Sequence, residues 1–154
     1  MRVSLLAVGR PRHSGLADSI RDYEVRAARY WPLEIIEVKE EPARGATIDH
    51  VRTREAERLV ERLAPDARVV TCEPGGETLD SDAFAQWLSV LRDRAHSVAF
   101  VIGGAYGLGE PIRVRATRRL ALAPWTLPHE LARLVLSEQL YRAGTIMRGE
   151  PYHK

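Results

Sequence analysis

Short apolar runs alternate with segments of helical periodicity along the whole chain, and this alternation limits the folds open to it. Strands are favoured at residues 3–8, 33–38, 68–72 and 98–102. Helical spacing of apolar side chains is found at residues 14–30, 47–63, 81–94 and 128–147. Strands that are buried on both faces of a parallel sheet form apolar runs, and the connecting helices cover the sheet. The pattern therefore predicts an α/β fold.

The size of the chain suits one core. It has 154 residues, 45% of them hydrophobic, and a chain of about 150 residues buries roughly 70% of the surface of its unfolded form. We expect a single domain over residues 1–154.

The longest apolar stretch, Val98 to Gly109, is shorter than the roughly 20 residues that span a bilayer, so we expect no membrane span. The lone cysteine, Cys72, and the lack of a basic region followed by an apolar one at the start of the chain predict a cytoplasmic protein.

The formal net charge of +2 is unevenly distributed. Residues 78–154 contain ten basic and seven acidic side chains, whereas residues 1–77 contain slightly more acidic than basic ones. Four arginines follow one another with no acidic residue between them, at positions 113, 115, 118 and 119. Such a cluster forms either a solvated face or a surface that neutralises an RNA backbone. The sequence leaves both interpretations open.

A glycine-rich segment, Gly103 to Glu110, follows the apolar run 98–102. Because ligands of open α/β sheets bind outside the carboxyl ends of strands, this segment is the first candidate for a binding site. It lacks the Gly-x-Gly-x-x-Gly spacing, and where a P-loop has its phosphate-binding lysine this chain has Glu110. A carboxylate there repels phosphate, so we do not expect nucleoside triphosphate hydrolysis. A tight turn without a ligand remains the alternative.

The segment His129 to Arg133 is similar to the zinc-binding helix motif of metalloproteases, but Arg133 replaces the second histidine. Arginine offers no lone pair to a metal. The five histidines do not approach the spacing of a two-ligand site elsewhere in the sequence. We therefore expect no metal site.

Two further residues each allow two interpretations. Cys72 ends an apolar run and is either a core residue or a thiol nucleophile near a histidine. Arg142 follows Glu138 at the i, i+4 spacing of an intrahelical ion pair. Because it lies near the end of a long helical segment and close to Tyr152 and His153, its planar fork could instead hold a phosphate.

Several segments together resemble one known family. They are Leu6-Ala7-Val8-Gly9, Val101-Ile102-Gly103-Gly104 with Gly107-Leu108, Thr126-Leu127-Pro128-His129, Glu138-Gln139-Leu140-Tyr141-Arg142-Ala143, and the ending Ile146-Met147-Arg148-Gly149-Glu150-Pro151-Tyr152-His153-Lys154. The chain resembles the ribosomal RNA large subunit methyltransferase H family from end to end. The segments, the order in which they occur and the length of the chain all agree with that family.

The resemblance implies a SPOUT-class methyltransferase with a parallel-sheet, three-layer fold and a C-terminal trefoil knot. It implies a homodimer that transfers a methyl group from S-adenosylmethionine to N3 of a pseudouridine in 23S ribosomal RNA, within the large ribosomal subunit or the assembled ribosome. The family's catalytic positions correspond to Arg142, Tyr152 and His153. Its cofactor contacts correspond to Cys72, Gly103, Leu122, Ala123, Pro124, Trp125, Thr126 and Leu127.

The chain departs from the family at two positions. Cys72 stands where the family usually has leucine, which preserves an apolar wall. Glu77 stands where the family has lysine, which reverses a charge, so either the lysine is dispensable or a nearby arginine replaces it.

Two other functions stay open: a ribosome-binding factor with this fold but no catalysis, and a hydrolase that uses Cys72 as its nucleophile.

Overall fold

The computed structural model describes residues 1–153 of the chain. Strands and helices alternate along these residues. The strands are β1 (Val3–Val8), β2 (Leu33–Val38), β3 (Arg68–Glu77), β4 (Val98–Ile102) and β5 (Ala116–Leu120). The helices are α1 (Ser14–Ala27), α2 (Ile48–Glu61), α3 (Ser81–Asp93), α4 (Glu110–Arg113) and α5 (His129–Met147), and a 3₁₀ helix follows at Pro151–His153.

The strands form one parallel sheet in the order β2-β1-β4-β3-β5. Its central strands β1 and β4 are buried along their whole length because helices cover both faces. All strands point the same way, so the loops that follow them meet at one edge, called here the carboxyl edge. The prediction of a parallel α/β fold is confirmed.

The helices form a layer on each side of the sheet. Helices α1, α3 and α5 share an apolar cluster with one face, in which Leu88, Phe100 and Leu136 are fully buried. Helices α2 and α4 cover the other face around Leu59 and Ile112. This arrangement confirms the predicted three layers, and the trefoil knot stays a prediction. Within residues 1–153, no helix has the length and apolar character needed to cross a membrane.

Local sequence determines where two of the helices begin. The side chain of Thr47 accepts a hydrogen bond from the amide of His50 at the start of α2, and Asp80 accepts one from Ala83 at the start of α3. Helix α1 was predicted to reach Tyr30 but ends at Ala27. Beyond α1, the Tyr30 ring packs against Gly144 of α5 so closely that no Cβ would fit on that glycine.

Residues 116–120 form a fifth strand, which the apolar runs of the sequence did not predict. They form β5 at the edge of the sheet, next to β3. An edge strand tolerates charged side chains because one of its sides faces solvent. Strand β3 also continues beyond the predicted end at Cys72, through an irregularity in its pairing with β5, to Glu77.

Candidate active site

Two adjoining cavities open at the carboxyl edge beside the β5–α5 loop (residues 121–128), and the larger one is also lined by the glycine loop (residues 103–109). Their volumes are about 820 Å³ and about 40 Å³. Most of the expected cofactor residues line one or both of them: Cys72, Gly103, Leu122, Ala123, Trp125, Thr126 and Leu127. Pro124 belongs to the same loop but lines neither cavity. The structure thus brings the expected cofactor residues to one place, which we call the cofactor cavity.

The glycine loop needs its glycines because its backbone folds back on itself and against α2. A Cβ on Gly103 would lie 2.8 Å from the carbonyl carbon of Gly107. Gly107 has φ +85°, a conformation that other residues adopt only with strain. A Cβ on Gly109 would collide with the carbonyl group of Arg52 in α2. The loop therefore presents bare backbone to the cavity.

The β5–α5 loop offers backbone amides to a ligand. Ala121 donates to the carbonyl oxygen of Glu77 at 2.9 Å, which attaches the start of the loop to the end of β3. Beyond it, no backbone hydrogen bond within the described residues uses an amide of residues 122–127. The side chain of Trp125 is 77% exposed at the mouth of the smaller cavity. The loop thus combines an apolar wall with free donors.

Cys72 contributes an apolar surface to the cavity. The residue is 9% exposed, and burial raises the pKa of its thiol to about 12. A thiol is nucleophilic only as the thiolate, which such a pKa suppresses at neutral pH. The structure therefore supports the interpretation of Cys72 as a core residue and speaks against a cysteine-dependent hydrolase.

Glu73 is a site residue that no spacing in the sequence indicated. It lines both cavities, its side chain is 5% exposed, and it forms ion pairs with Arg113 at 2.8 Å and Arg119 at 3.0 Å. Burial raises its pKa, but hydrogen bonds from Arg119 and Thr71 and the charge of Arg113 outweigh burial, so the pKa of Glu73 lies below its ordinary value. Its arginine partners are 40 or more residues away along the chain, which is why sequence reasoning missed it.

In the fold, three of the four clustered arginines form ion pairs with acidic residues. Although no acidic residue lies between the four arginines in sequence, the fold brings Glu73 to two of them and Glu77 to Arg118 at 2.8 Å. Arg118 also lies 4.6 Å from the ring centre of Trp87. Arg115 is exposed and forms no ion pair with any described residue. The reversed charge at Glu77 is thus paired within the chain.

The expected catalytic residues Arg142 and Tyr152 contact each other and Glu138. Arg142 donates to the Glu138 carboxylate at 2.6 Å and 3.0 Å, which is the ion pair that their spacing predicts, and its guanidinium lies 4.9 Å from the Tyr152 ring centre. The Tyr152 hydroxyl donates to Glu138 at 3.0 Å and lies 3.4 Å from the hydroxyl of Tyr23. Burial and these hydrogen bonds raise the pKa of Tyr152, so its phenol stays protonated. His153 belongs to the 3₁₀ helix, but its side chain lies outside the described part of the structure.

These residues lie at the opposite end of α5 from the cofactor cavity. His129, the first residue of α5, lines the larger cavity. Arg142 follows it by 13 positions, which is about 20 Å along a helix that rises 1.5 Å per residue. At that level the indole of Trp31, just before β2, donates to the carbonyl oxygen of Leu140 at 2.8 Å. Within one chain, the structure does not bring Arg142 and Tyr152 to the cavity.

Comparison with known proteins identifies the family. A family model described as a predicted SPOUT methyltransferase matches residues 1–153. A ribosomal RNA large subunit methyltransferase H from Gemmatimonas aurantiaca is 70% identical over 154 residues, covering 100% of both chains. A protein of the same name from Geobacter metallireducens is 43% identical over 99% of each chain. The chain belongs to the ribosomal RNA large subunit methyltransferase H family.

Solved structures agree with this family's fold. A probable methyltransferase from Bordetella pertussis Tohama I has a TM-score of 0.58 at 19% identity, covering 92% of this chain and 95% of that one. A probable methylase family protein from Haemophilus influenzae Rd KW20 has a TM-score of 0.55 at 14% identity, covering 99% of this chain and 70% of that one. The three-layer arrangement is the fold of SPOUT methyltransferases, and the chain is a member of that methyltransferase class.

Proposed function

We propose that this chain transfers a methyl group from S-adenosylmethionine to N3 of a pseudouridine in 23S ribosomal RNA. It does so as a cytoplasmic homodimer, on the large subunit or the assembled ribosome. The names of its relatives support a ribosomal RNA substrate. The observation that carries the proposal is the convergence of the glycine loop and the β5–α5 loop on one cavity at the carboxyl edge.

The residues around the cavity fit S-adenosylmethionine. Cys72, Leu122 and Leu127 form an apolar wall, and the free amides of the β5–α5 loop can donate to the edge of an adenine. A side chain at Gly103 would fill the cradle made by the glycine loop. S-adenosylmethionine supplies both the methyl group and a good leaving group, so the protein needs no covalent catalysis.

The chain's own residues orient the acceptor base and handle its proton. The cavity walls exclude water, and alignment of the reacting atoms can supply several kcal/mol of the barrier reduction. Tyr152, whose raised pKa keeps its phenol protonated, acts as a hydrogen-bond donor. Arg142 is a clamp for a phosphate or a uracil oxygen. The imidazole of His153 is the tail group whose chemistry suits uptake of the N3 proton near neutral pH.

The site needs a second copy of the chain. The tail lies at the far end of α5 from the cavity of its own chain, so it cannot serve that cavity without unfolding the helix. In a two-fold dimer the same surface of each copy meets its partner, which allows the tail of one copy to reach the cavity of the other. We propose that Arg142, Tyr152 and His153 act on the partner's cofactor cavity.

The excess of basic side chains in residues 78–154 supports contact with the RNA backbone. In the present structure, however, not all four clustered arginines are free to bind phosphate. Arg113, Arg118 and Arg119 are held by carboxylates and must exchange these partners for phosphate. Arg115 can bind phosphate without such an exchange because it is exposed and unpaired among the described residues. We therefore expect Arg115 to contribute most to RNA binding in this group.

Two measurements test the proposal. Calorimetry of the purified protein with S-adenosylmethionine should show binding that Gly103→Val abolishes, because a branched side chain cannot fit beside Gly107. Incubation with labelled S-adenosylmethionine and unmodified ribosomes should place label on a pseudouridine of 23S RNA. Ribosome binding without cofactor binding would instead favour a factor that has kept the fold and lost the chemistry.

A further inference from the structure

A second cleft opens at the carboxyl edge, outside β1 and β2. Its volume is about 910 Å³, which is enough for a nucleotide. Ala105, Tyr106 and His129 line both this cleft and the cofactor cavity. The glycine loop and the start of α5 therefore form a wall that the two spaces share, so a ligand in the cleft would lie next to the cofactor.

The charged groups that line this cleft lie at different depths. Glu55 is 4% exposed, the side chains of Glu37 and Glu40 are partly buried, and those of Arg10 and Arg12 are 88% and 79% exposed. Lys39, Glu41 and Glu130 also line the cleft. Arg10 lies 3.3 Å from Glu37, and Arg12 is paired with Glu40. This arrangement, with acceptor oxygens deep in the cleft and cations at its surface, fits a ligand that has ring N–H donors at one end and a phosphate at the other. A nucleotide whose base has left its stack is such a ligand.

Glu55 has an unused acceptor at this place. The residue lies on α2 and is 4% exposed, and one carboxylate oxygen accepts from the amide of Glu41 at 3.1 Å. The other oxygen, Oε2, is buried and has no hydrogen-bond partner among the described residues. Such an atom costs about 1–3 kcal/mol in desolvation. Burial raises the pKa of Glu55, as expected for a carboxylate that lacks a cation.

The unused oxygen faces the glycine loop. A Cβ on Gly104 would lie 2.8 Å from Oε2 and 3.1 Å from a methyl group of Val8. A side chain at position 104 would therefore press on the carboxylate, and beyond it the loop residues Ala105, Tyr106 and Gly107 are exposed. An entering ring would reach Oε2 from the shared wall by displacing these three residues together with Gly104, to which the Gly107 amide donates at 3.1 Å.

We propose that this cleft receives the acceptor nucleotide and that Oε2 of Glu55 accepts a hydrogen bond from N1–H of its pseudouridine ring. The proposal rests on the function proposed above and adds a specificity-determining residue to it. The base lies toward Glu55, and the phosphate lies toward Arg10 and Arg12.

The geometry of the ring selects N1–H. The N3 proton points in the ring plane along the direction from which the methyl group must arrive, so a group that remains on N3–H would block the transfer. N1–H points away from that line and is free in pseudouridine, because the ribose is attached at C5. Uridine presents a C–H at the corresponding place, which leaves Oε2 unpaired. A site that hydrogen-bonds a substrate N–H can reject an analogue without it by about 10⁴-fold.

The test compares ribosomes that carry pseudouridine or uridine at the target, the latter from a strain that lacks the isomerising synthase. Glu55→Gln keeps an acceptor for the Glu41 amide but turns an NH₂ group toward N1–H. We expect kcat/KM on pseudouridine to fall about 100-fold, with the rate on uridine and the affinity for S-adenosylmethionine unchanged. Glu57→Gln on the same helix is the control and should behave as wild type. Among the described residues, Glu57 forms an ion pair with Arg54 alone.

The result that overturns the proposal is an equal loss on both substrates, or an unchanged preference. A wild-type protein that methylates neither ribosome refutes the proposed function itself. NMR provides a test that needs no variant: pseudouridine 5′-monophosphate should shift the amides of Gly9 and Gly104 of the wild-type protein more than uridine 5′-monophosphate does. Equal shifts would also overturn the role of Glu55.

Discussion

The Cys72 thiol and the Glu73 carboxylate are consecutive residues of β3, and burial raises the pKa of both, yet their net pKa shifts have opposite directions. The thiol has no charged partner and its pKa rises to about 12. The carboxylate is also buried, but Arg113 and Arg119 overcome the cost of desolvation and lower its pKa. The residue types can be read from the sequence. The ion pairs of Glu73 and the unpaired Oε2 of Glu55 could not be predicted, because they depend on residues that are distant along the chain. The Glu138–Arg142 pair was predictable, because both residues lie in one helix at i, i+4 spacing.

The Cys72 thiol should react slowly with iodoacetamide in the folded protein. An ordinary thiol ionises near pH 8.5, so its alkylation rate rises steeply between about pH 7 and 9. The pKa of about 12 predicts little thiolate, and hence slow alkylation, throughout that range. Mass spectrometry of time points with and without urea measures the rate. Rapid modification of the folded protein at pH 8 would contradict this account.

Replacing Glu73 by glutamine should destabilise the protein. The free energy of unfolding should fall by about 1–3 kcal/mol, because both arginines are partly exposed and can turn to water. Since the pKa of Glu73 in the folded protein lies below its ordinary value of 4.5, this stabilisation is present above pH 4.5 and is lost as pH falls through the folded pKa. Urea unfolding at pH 7 and pH 3 measures it. The control Glu77→Gln, at a half-exposed pair, should cost less than about 1 kcal/mol.

Among the elements, strands β1, β2 and β4 were predictable, and the edge strand β5 was not. The observed bounds of β1, β2 and β4 match the apolar runs. Strand β5 has the sequence Ala-Thr-Arg-Arg-Leu, and its two arginines pair with acidic residues of β3. Their side chains are stabilised by tertiary contacts, which local periodicity cannot reveal. The helical pattern of α5 predicted its length but not that its two ends serve different sites.

Removal of Tyr152 to Lys154 should abolish methylation and leave the fold intact. The 3₁₀ helix packs on α1 and α5 through the Tyr152 contacts to Tyr23 and Glu138, outside the apolar clusters of the sheet. Circular dichroism and calorimetry with S-adenosylmethionine should match the full-length protein. Tyr152→Phe keeps the ring against Arg142 and separates loss of the hydroxyl from loss of the tail. Full activity of the truncated protein would remove the tail from the mechanism.

At the scale of the whole molecule, the cofactor cavity and the tail lie at opposite ends of α5. In the proposed homodimer, a second copy would supply the tail, a second RNA-binding surface and a second cavity. Spacing and periodicity do not reveal such an arrangement, because the neighbouring residues belong to another copy of the same chain. The sequence pointed to a homodimer only through the resemblance to the family.

Two inactive subunits should therefore complement each other. A subunit with Gly103→Val lacks the cofactor cavity, and a subunit truncated after Pro151 lacks the tail. Coexpressed with different tags and purified by both, they form a dimer with one intact site, and we expect at least about half of the wild-type activity. Each homodimer serves as the inactive control. A mixed dimer as inactive as both homodimers would show that the tail does not act across the interface.

The central claim is methyl transfer to N3 of a pseudouridine in 23S ribosomal RNA. Mass spectrometry of nucleosides from the ribosomes of a strain that lacks this protein tests it most directly. We predict that N3-methylpseudouridine disappears, that unmodified pseudouridine takes its place, and that the wild-type gene, but not one encoding Gly103→Val, restores the methyl group. Persistence of N3-methylpseudouridine in the strain without the protein would contradict the account.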